Sequence, residues 1–208
     1  MNDRLINTLE KKLKQGALPG KEVQYQMAHV IRRRYEPVPD KARKAGVLAL
    51  FYPKDSGWHI VLIERGSSHP EDHHGGQISF PGGKFEKGDR SLADTALREA
   101  HEEVGVDPNT VTLIGELTEL YIPVSNFLVK PYVGYTTTTP LFRPQLSEVR
   151  SIVETPLELL KQPEARQSTD LKLASNITLR NVPYFNVYGK VVWGATAMML
   201  NELLEVIK

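Results

Sequence analysis

Apolar positions along the chain follow two rhythms. Near the start, Leu5, Ile6, Leu9 and Leu13 recur at helical spacing. They predict a first helix that Asp3 could cap and that Gly16 and Pro19 end. A polar stretch with a basic run at Arg32, Arg33 and Arg34 follows and reads as solvated surface. Pro37 and Pro39 mark a linker or crossing loop. From Ala45 the rhythm changes to short apolar runs. Ala45 to Tyr52 predicts a buried strand, Pro53 to Gly57 a turn, and Trp58 to Arg65 a second strand of a hairpin. Gly66 to Gly76 is a polar loop, and QISFPGG a short strand running into glycines. Helical spacing returns at Ser91 to Val104. Strands are predicted at Thr110 to Thr118, Leu128 to Thr137 and Ser147 to Val153, the last with an acid near its start. A short helix begins at Pro156 to Leu160. Ile177 to Leu179 and Tyr184 to Val187 suggest another hairpin, and Trp193 to Ile207 a closing amphipathic helix. Strands before and after a central helix predict a mixed sheet flanked by helices.

Composition narrows the chemistry. With 208 residues, 40% of them apolar, the chain suits one α/β domain, with or without appended helices. A formal net charge of +1 gives no global field favouring nucleic acid or an anionic membrane, so neither is expected as a partner. The absence of cysteine excludes disulfides, thiolate catalysis and cysteine-bound zinc. No apolar run is long enough to span a bilayer, and MNDRLINTLEKKLK is a poor secretion signal, so a cytoplasmic location is expected.

The most unusual stretch is REAHEEVG, Arg98 to Gly105. Ser91 to Asp94 has the form of a capping box, so the helix should start near Ser91. Leu92, Ala93, Ala96, Leu97, Ala100 and Val104 then form one apolar face. Glu99, Glu102 and Glu103 are expected to point away from that face and toward one another. Like charges at this spacing destabilise a bare helix by a few tenths of a kcal/mol each, roughly. A solvated face is one reading. The other is a divalent cation, which reverses the sign of that repulsion; hard ions such as magnesium choose carboxylate and carbonyl oxygens. Arg98 can pair with Glu102 or reach back to the preceding loop. Gly82 and Gly83, just upstream, let a ligand or metal approach the main chain.

The stretch Gly82 to Val106, GGKFEKGDRSLADTALREAHEEVGV, resembles the Nudix box. The match at Arg98, Glu99, Ala100, Glu102, Glu103, Gly105 and Val106 is complete. The spaced acid is Asp89 where a glutamate is usual, and the segment from it to Arg98 is one residue longer than the common pattern. Upstream, Arg65, His74, Gly76, Gln77, Phe80, Pro81, Gly82 and Gly83 are similar to the coenzyme A pyrophosphatase branch, as is the Trp-Gly-x-Thr-Ala stretch opening the last helix.

The resemblance implies an α/β Nudix fold, a mixed β-sheet sandwiched between α-helices, in a domain over residues 45–208; residues 1–44 lie outside the resemblance and read from their own pattern as an N-terminal helical extension. It implies metal-dependent hydrolysis of the pyrophosphate bond of coenzyme A or its thioesters, giving 4′-phosphopantetheine and adenosine 3′,5′-bisphosphate. The alternative keeps the chemistry and changes the substrate to ADP-ribose or another nucleoside diphosphate derivative. Mg2+ or Mn2+ is the implied cofactor. Glu99, Glu103, Glu102 and the carbonyl of Gly83 are its implied ligands, and Arg98 orients a carboxylate. Glu102 and Glu148 are both candidate general bases, and Glu148 reads equally as a strand-edge surface acid. Arg65, His74, Gln77 and Lys84 are the candidate substrate contacts, and a 3′-phosphate calls for cations such as Arg65, Lys84 or the early arginines. Phe80, Tyr121 and Phe127 could wall an adenine or pantetheine arm, although each is more often core. His69, His73 and His74 sit in a polar loop without a further ligand at sensible spacing, which argues against zinc. A homodimer is compatible with the unmatched N-terminal helix.

Overall fold

The computed structural model describes residues 4–32, 36–55, 57–66, 76–173 and 177–208. Helix α1 (Arg4–Lys14) buries Ile6, Leu9 and Leu13, as their spacing requires; Asp3, the expected cap, lies outside the described residues. A short helix α2 (Gly20–Gln24) and two single 3-10 turns follow. Strands β1 (Arg43–Lys54) and β2 (Gly57–Arg65) form the antiparallel hairpin. Pro53 and Lys54 are still paired, opposite Trp58 and Gly57, so the turn is tighter than Pro53 to Gly57. Its Asp55 takes φ 53°, a left-handed conformation that Asp tolerates better than most side chains.

After β3 (Ile78–Ser79), the glycines themselves make a strand, β4 (Gly82–Lys84). Helix α3 (Leu92–Val104) comes next, then β5 (Thr112–Glu116), β6 (Leu120–Ile122) and β7 (Phe127–Tyr135). The chain continues through β8 (Val149–Pro156), α4 (Leu157–Lys161), β9 (Arg166–Lys172), β10 (Thr178–Val187), β11 (Lys190–Trp193) and α5 (Gly194–Ile207). Glu148 lies just before β8, in the turn that precedes it.

One sheet runs β3-β2-β1-β7-β5, with β4 on β1, β6 on β7 and β8 on β2. It is mixed, because β1 and β7 pair in parallel and the other pairs are antiparallel. A second sheet, β11-β10-β9, corrects the expected hairpin: Ile177 to Leu179 and Tyr184 to Val187 are not partners, since β10 joins Leu179 to Val187 in one strand. Asn181, at φ 53°, bulges that strand, and the polar β9 carries no hydrophobic alternation to reveal it.

The period-2 alternation of β1 splits the core. Ala49 and Phe51 face one cluster with Leu9, Leu13, Met198 and Leu203 of α1 and α5. Leu48, Leu50 and Tyr52 face a second cluster with Ala96, Ala100 and Val104 of α3. The sheet is thus sandwiched between helices. Helix α5 is not amphipathic in its setting. Ten of its residues are buried, including Glu202, whose carboxylate accepts from Gln24 Nε2 (2.7 Å) and Thr118 Oγ1 (2.6 Å). The N-terminal segment supplies that cover, which its own sequence could not announce.

Candidate active site

The site is built where β1 changes partner, from β2 at Phe51 to Lys54 to β4 at Ala45 to Val47. The sheet opens there, and α3 lies across the opening. Gly46 makes this crossing feasible: a Cβ on it would collide with the Leu92 carbonyl of α3. Gly83, paired with Gly46, sits against the same face of the helix about two turns further along, and a Cβ on it would fall within the carboxylate of Glu99. Gly82, at φ 152°, leaves no room for a side chain against Val47.

Helix α3 starts as its sequence predicts. Ser91 Oγ accepts from Asp94 N at 3.1 Å, and Gly105 closes the helix at φ 75°. The capping is not reciprocal, because the Asp94 carboxylate turns to Arg90.

The three glutamates divide, which corrects the expectation that all point away from the apolar face. Glu103 is 1% exposed and packs on the buried side of the helix. Its Oε2 accepts from Gly82 N at 2.8 Å, and its Oε1 stands 3.4 Å from Arg65 Nη1. Burial pushes its carboxyl up from an ordinary 4.5 to about 7, against the pull of Gly82 and Arg65, with the charges of Glu99 and Glu148 adding to the rise. Glu99 is half-buried and is pushed up chiefly by burial, against the Arg98 hydrogen bond. Glu102 is exposed and pairs with Arg98 at 3.1 Å. The helical repeat puts residues 99 and 103 on one flank; the strand of glycines beneath decides that this flank is covered.

Arg98 is the hub. It donates to Glu99 Oε1 at 2.8 Å, to Glu102, to the Lys84 carbonyl at 3.1 Å and to both oxygens of Asp89. Asp89 also accepts from Thr95 Oγ1 and Glu86 N, and these bonds, led by Arg98, hold its carboxyl well below the usual range. The shorter acid in the longer segment therefore serves to fix Arg98.

Glu148 reaches the site from a different direction. Gly66 N donates to its carbonyl at 2.6 Å, and Gln145 N and Arg143 N donate to the last carbonyls of α3, those of Glu103 and Val104. Its charge adds, as the smallest of the causes, to the rise of both Glu99 and Glu103. Gln77 meets Arg65 through the backbone, its carbonyl accepting from Arg65 N at 2.9 Å. The Lys84 side chain is exposed. His74, with His69 and His73, lies outside the described residues, as do Arg33 and Arg34. Phe80 is 1% exposed and belongs to the core, not to a pocket wall. Sequence reasoning missed Gly46 and the Gly82 N–H, because only strand pairing reveals which glycines the helix meets.

Among the described residues, no three carboxylate or imidazole groups already converge as a coordinating set. The oxygens of Glu99, Glu102 and Glu103 are instead taken up by Arg98, Gly82 and Arg65. The donor set nevertheless fits a hard divalent ion. Two carboxylates sit in a low-dielectric opening with raised proton affinity, a third adds charge, and the Gly83 backbone lies against one of them.

The NUDIX domain family matches residues 41–171. Over 131 residues the chain is 37% identical to the Nudix hydrolase NudL of Pectobacterium atrosepticum, covering 62% of this chain and 66% of that one. Over 179 residues it is 31% identical to Nudix hydrolase 22, chloroplastic, of Arabidopsis thaliana, covering 82% of this chain and 57% of that one. It thus spans less than two thirds of the length of either relative. A solved MutT/nudix family protein from Enterococcus faecalis shares the fold, with a TM-score of 0.52 and 14% identity over 88% of this chain and 71% of that chain. With the family match extending from the last residues before β1 through β9, across the glycine strand and the acidic helix, the chain belongs to the Nudix family.

Proposed function

We propose that this chain is a pyrophosphohydrolase that cleaves the diphosphate of coenzyme A or its thioesters with the help of Mg2+ or Mn2+. One observation carries the reading: the buried Glu103 carboxylate is held on the Gly82 N–H beside Glu99, and burial raises the proton affinity of both carboxyls. Glu99, Glu103, Glu102 and the Gly83 carbonyl are the groups that would hold the ion. When bound, it polarises phosphoryl oxygens and lowers the pKa of a water.

The residues do the rest. Arg98, fixed by Asp89, sets the orientation of Glu99 and Glu102. Glu102 or Glu148 takes a proton from the attacking water; the water oxygen bonds to phosphorus and the bridging P–O bond breaks. Arg65 and Lys84 offer cations to the diphosphate. The products are 4′-phosphopantetheine and adenosine 3′,5′-bisphosphate. The coenzyme A assignment rests on the similarity of Arg65, Gln77, Phe80, Pro81, Gly82 and Gly83 to that branch of the family.

Incubation of the pure protein and Mg2+ or Mn2+ with coenzyme A, acyl thioesters and ADP-ribose, with products identified by mass, tests this. Higher kcat/KM on the coenzyme A class is expected. A preference for ADP-ribose overturns the substrate, and no turnover of any diphosphate overturns the activity.

A further inference from the structure

Two arginines bear on the carboxylates of α3, and they are held very differently. Arg98 is anchored by both oxygens of Asp89 and by the Lys84 carbonyl, so its contacts with Glu99 and Glu102 belong to a fixed frame. Arg65 ends β2, whose Val61 and Ile63 face α3. Its main chain is fixed as well. Arg65 N donates to the Gln77 carbonyl at 2.9 Å, and its own carbonyl accepts from Gly76 N at 2.8 Å. Its guanidinium is held far less firmly. Among the described residues its one carboxylate partner is Glu103, at 3.4 Å, and the side chain is 34% exposed. That contact is longer than the roughly 2.7–2.9 Å of a firm charge-assisted bond.

The buried Glu103 carboxylate is thus answered by unequal partners. Oε2 is fixed to Gly82 N at 2.8 Å, in the main chain of the glycine strand. Oε1 faces a side chain that swings away without moving a strand. An ion pair with one partner this exposed contributes about 1 kcal/mol or less, so little holds the guanidinium there. While it stays, it opposes a divalent ion at Oε1 twice over: its N–H groups take up the oxygen, and its charge repels a second cation. The same planar group is a strong partner for phosphate oxygens.

We infer that Arg65 is the internal counter-ion of the empty site: it occupies Glu103 Oε1 until a divalent ion takes that oxygen, and once released it pairs with the diphosphate. This rests on the diphosphate-cleaving reading of the same site, and adds to it a coupling between the two ligands. A cation on Glu103 frees Arg65 for phosphate, and a phosphate on Arg65 frees Glu103 for the cation. By linkage the two effects are equal in size. Arg98, tied to Asp89, does not make this exchange.

Calorimetry at pH 8 reads the exchange without turnover. Mn2+ is titrated into the metal-free parent, R65Q and R65M. Adenosine 5′-monophosphate, a phosphomonoester with no diphosphate to cleave, is titrated into each protein loaded with Mn2+. Both variants are expected to bind Mn2+ alone about three- to tenfold more tightly than the parent, the yield of removing a weak ion pair and a like charge. Both should then bind the nucleotide several-fold more weakly. The opposite signs identify the exchange, since a guanidinium that only braced the site would weaken both ligands when removed. R65M keeps the apolar stem and carries the test if R65Q does not fold. Mn2+ affinity that is equal to the parent's or weaker, or nucleotide affinity unchanged in the variants, overturns the inference; cleavage of coenzyme A by the parent leaves the activity standing in that case. A parent that takes up no Mn2+ overturns the metal-dependent activity and the exchange together.

Discussion

Replacing Glu103 with glutamine should make the metal-free protein more stable while destroying its activity. The carboxyl is pushed up from 4.5 to about 7, mainly by burial at 1% exposure. A raised acid favours folding in its neutral form. Its contribution is fully present below 4.5, is lost as pH rises, and is gone above about 7. That gap is worth about 3 kcal/mol at about 1.4 kcal/mol per pH unit. Glutamine keeps an acceptor for Gly82 N and carries no charge. It forfeits the Arg65 pair, which at 3.4 Å to a third-exposed arginine is worth no more than about 1 kcal/mol. The net gain at pH 8 is about 2 kcal/mol, or about 4–8 °C in melting temperature for a chain of this size. At pH 4.5 the gain should vanish. Urea unfolding in a chelator at both pH values measures it. Excess Mn2+ should reverse the order, since the ion stabilises the parent by mass action and the variant far less. A variant that is no more stable than the parent at pH 8 without metal, or whose advantage is the same at both pH values, refutes the reasoning.

Two further outcomes follow from the same geometry. Gly83→Ala forces Glu99 off its position against the glycine strand, so kcat should fall at least tenfold while circular dichroism stays unchanged. Asp89→Asn should cost about 1–3 kcal/mol by releasing Arg98. Because the Asp89 carboxyl is held low, its contribution is present above the ordinary 3.8 and lost as pH falls below it; parent and variant stabilities, followed by urea titration, should therefore converge toward acid pH.

Local pattern made much of this molecule legible. The apolar spacing of Leu5 to Leu13 and of Leu92 to Val104, the run from Ala45 to Tyr52, and the Ser91 and Gly105 signals specify elements within a few residues, because caps and periodicity act over one or two turns. The crowding of Glu99, Glu102 and Glu103 likewise marked a place where repulsion must be offset. What lay beyond the sequence was everything set by pairing between distant segments. The burial of Glu103 depends on β4, whose Gly82 lies 21 residues before it in the chain, folding back onto β1. The arrival of Glu148 depends on the tie between Gly66 and the turn before β8. The joining of Arg43 to Phe127 depends on parallel register between β1 and β7. A residue's type fixes which charge it carries; the strand opposite it fixes whether water or protein surrounds that charge, and so which acid is pushed toward its neutral form.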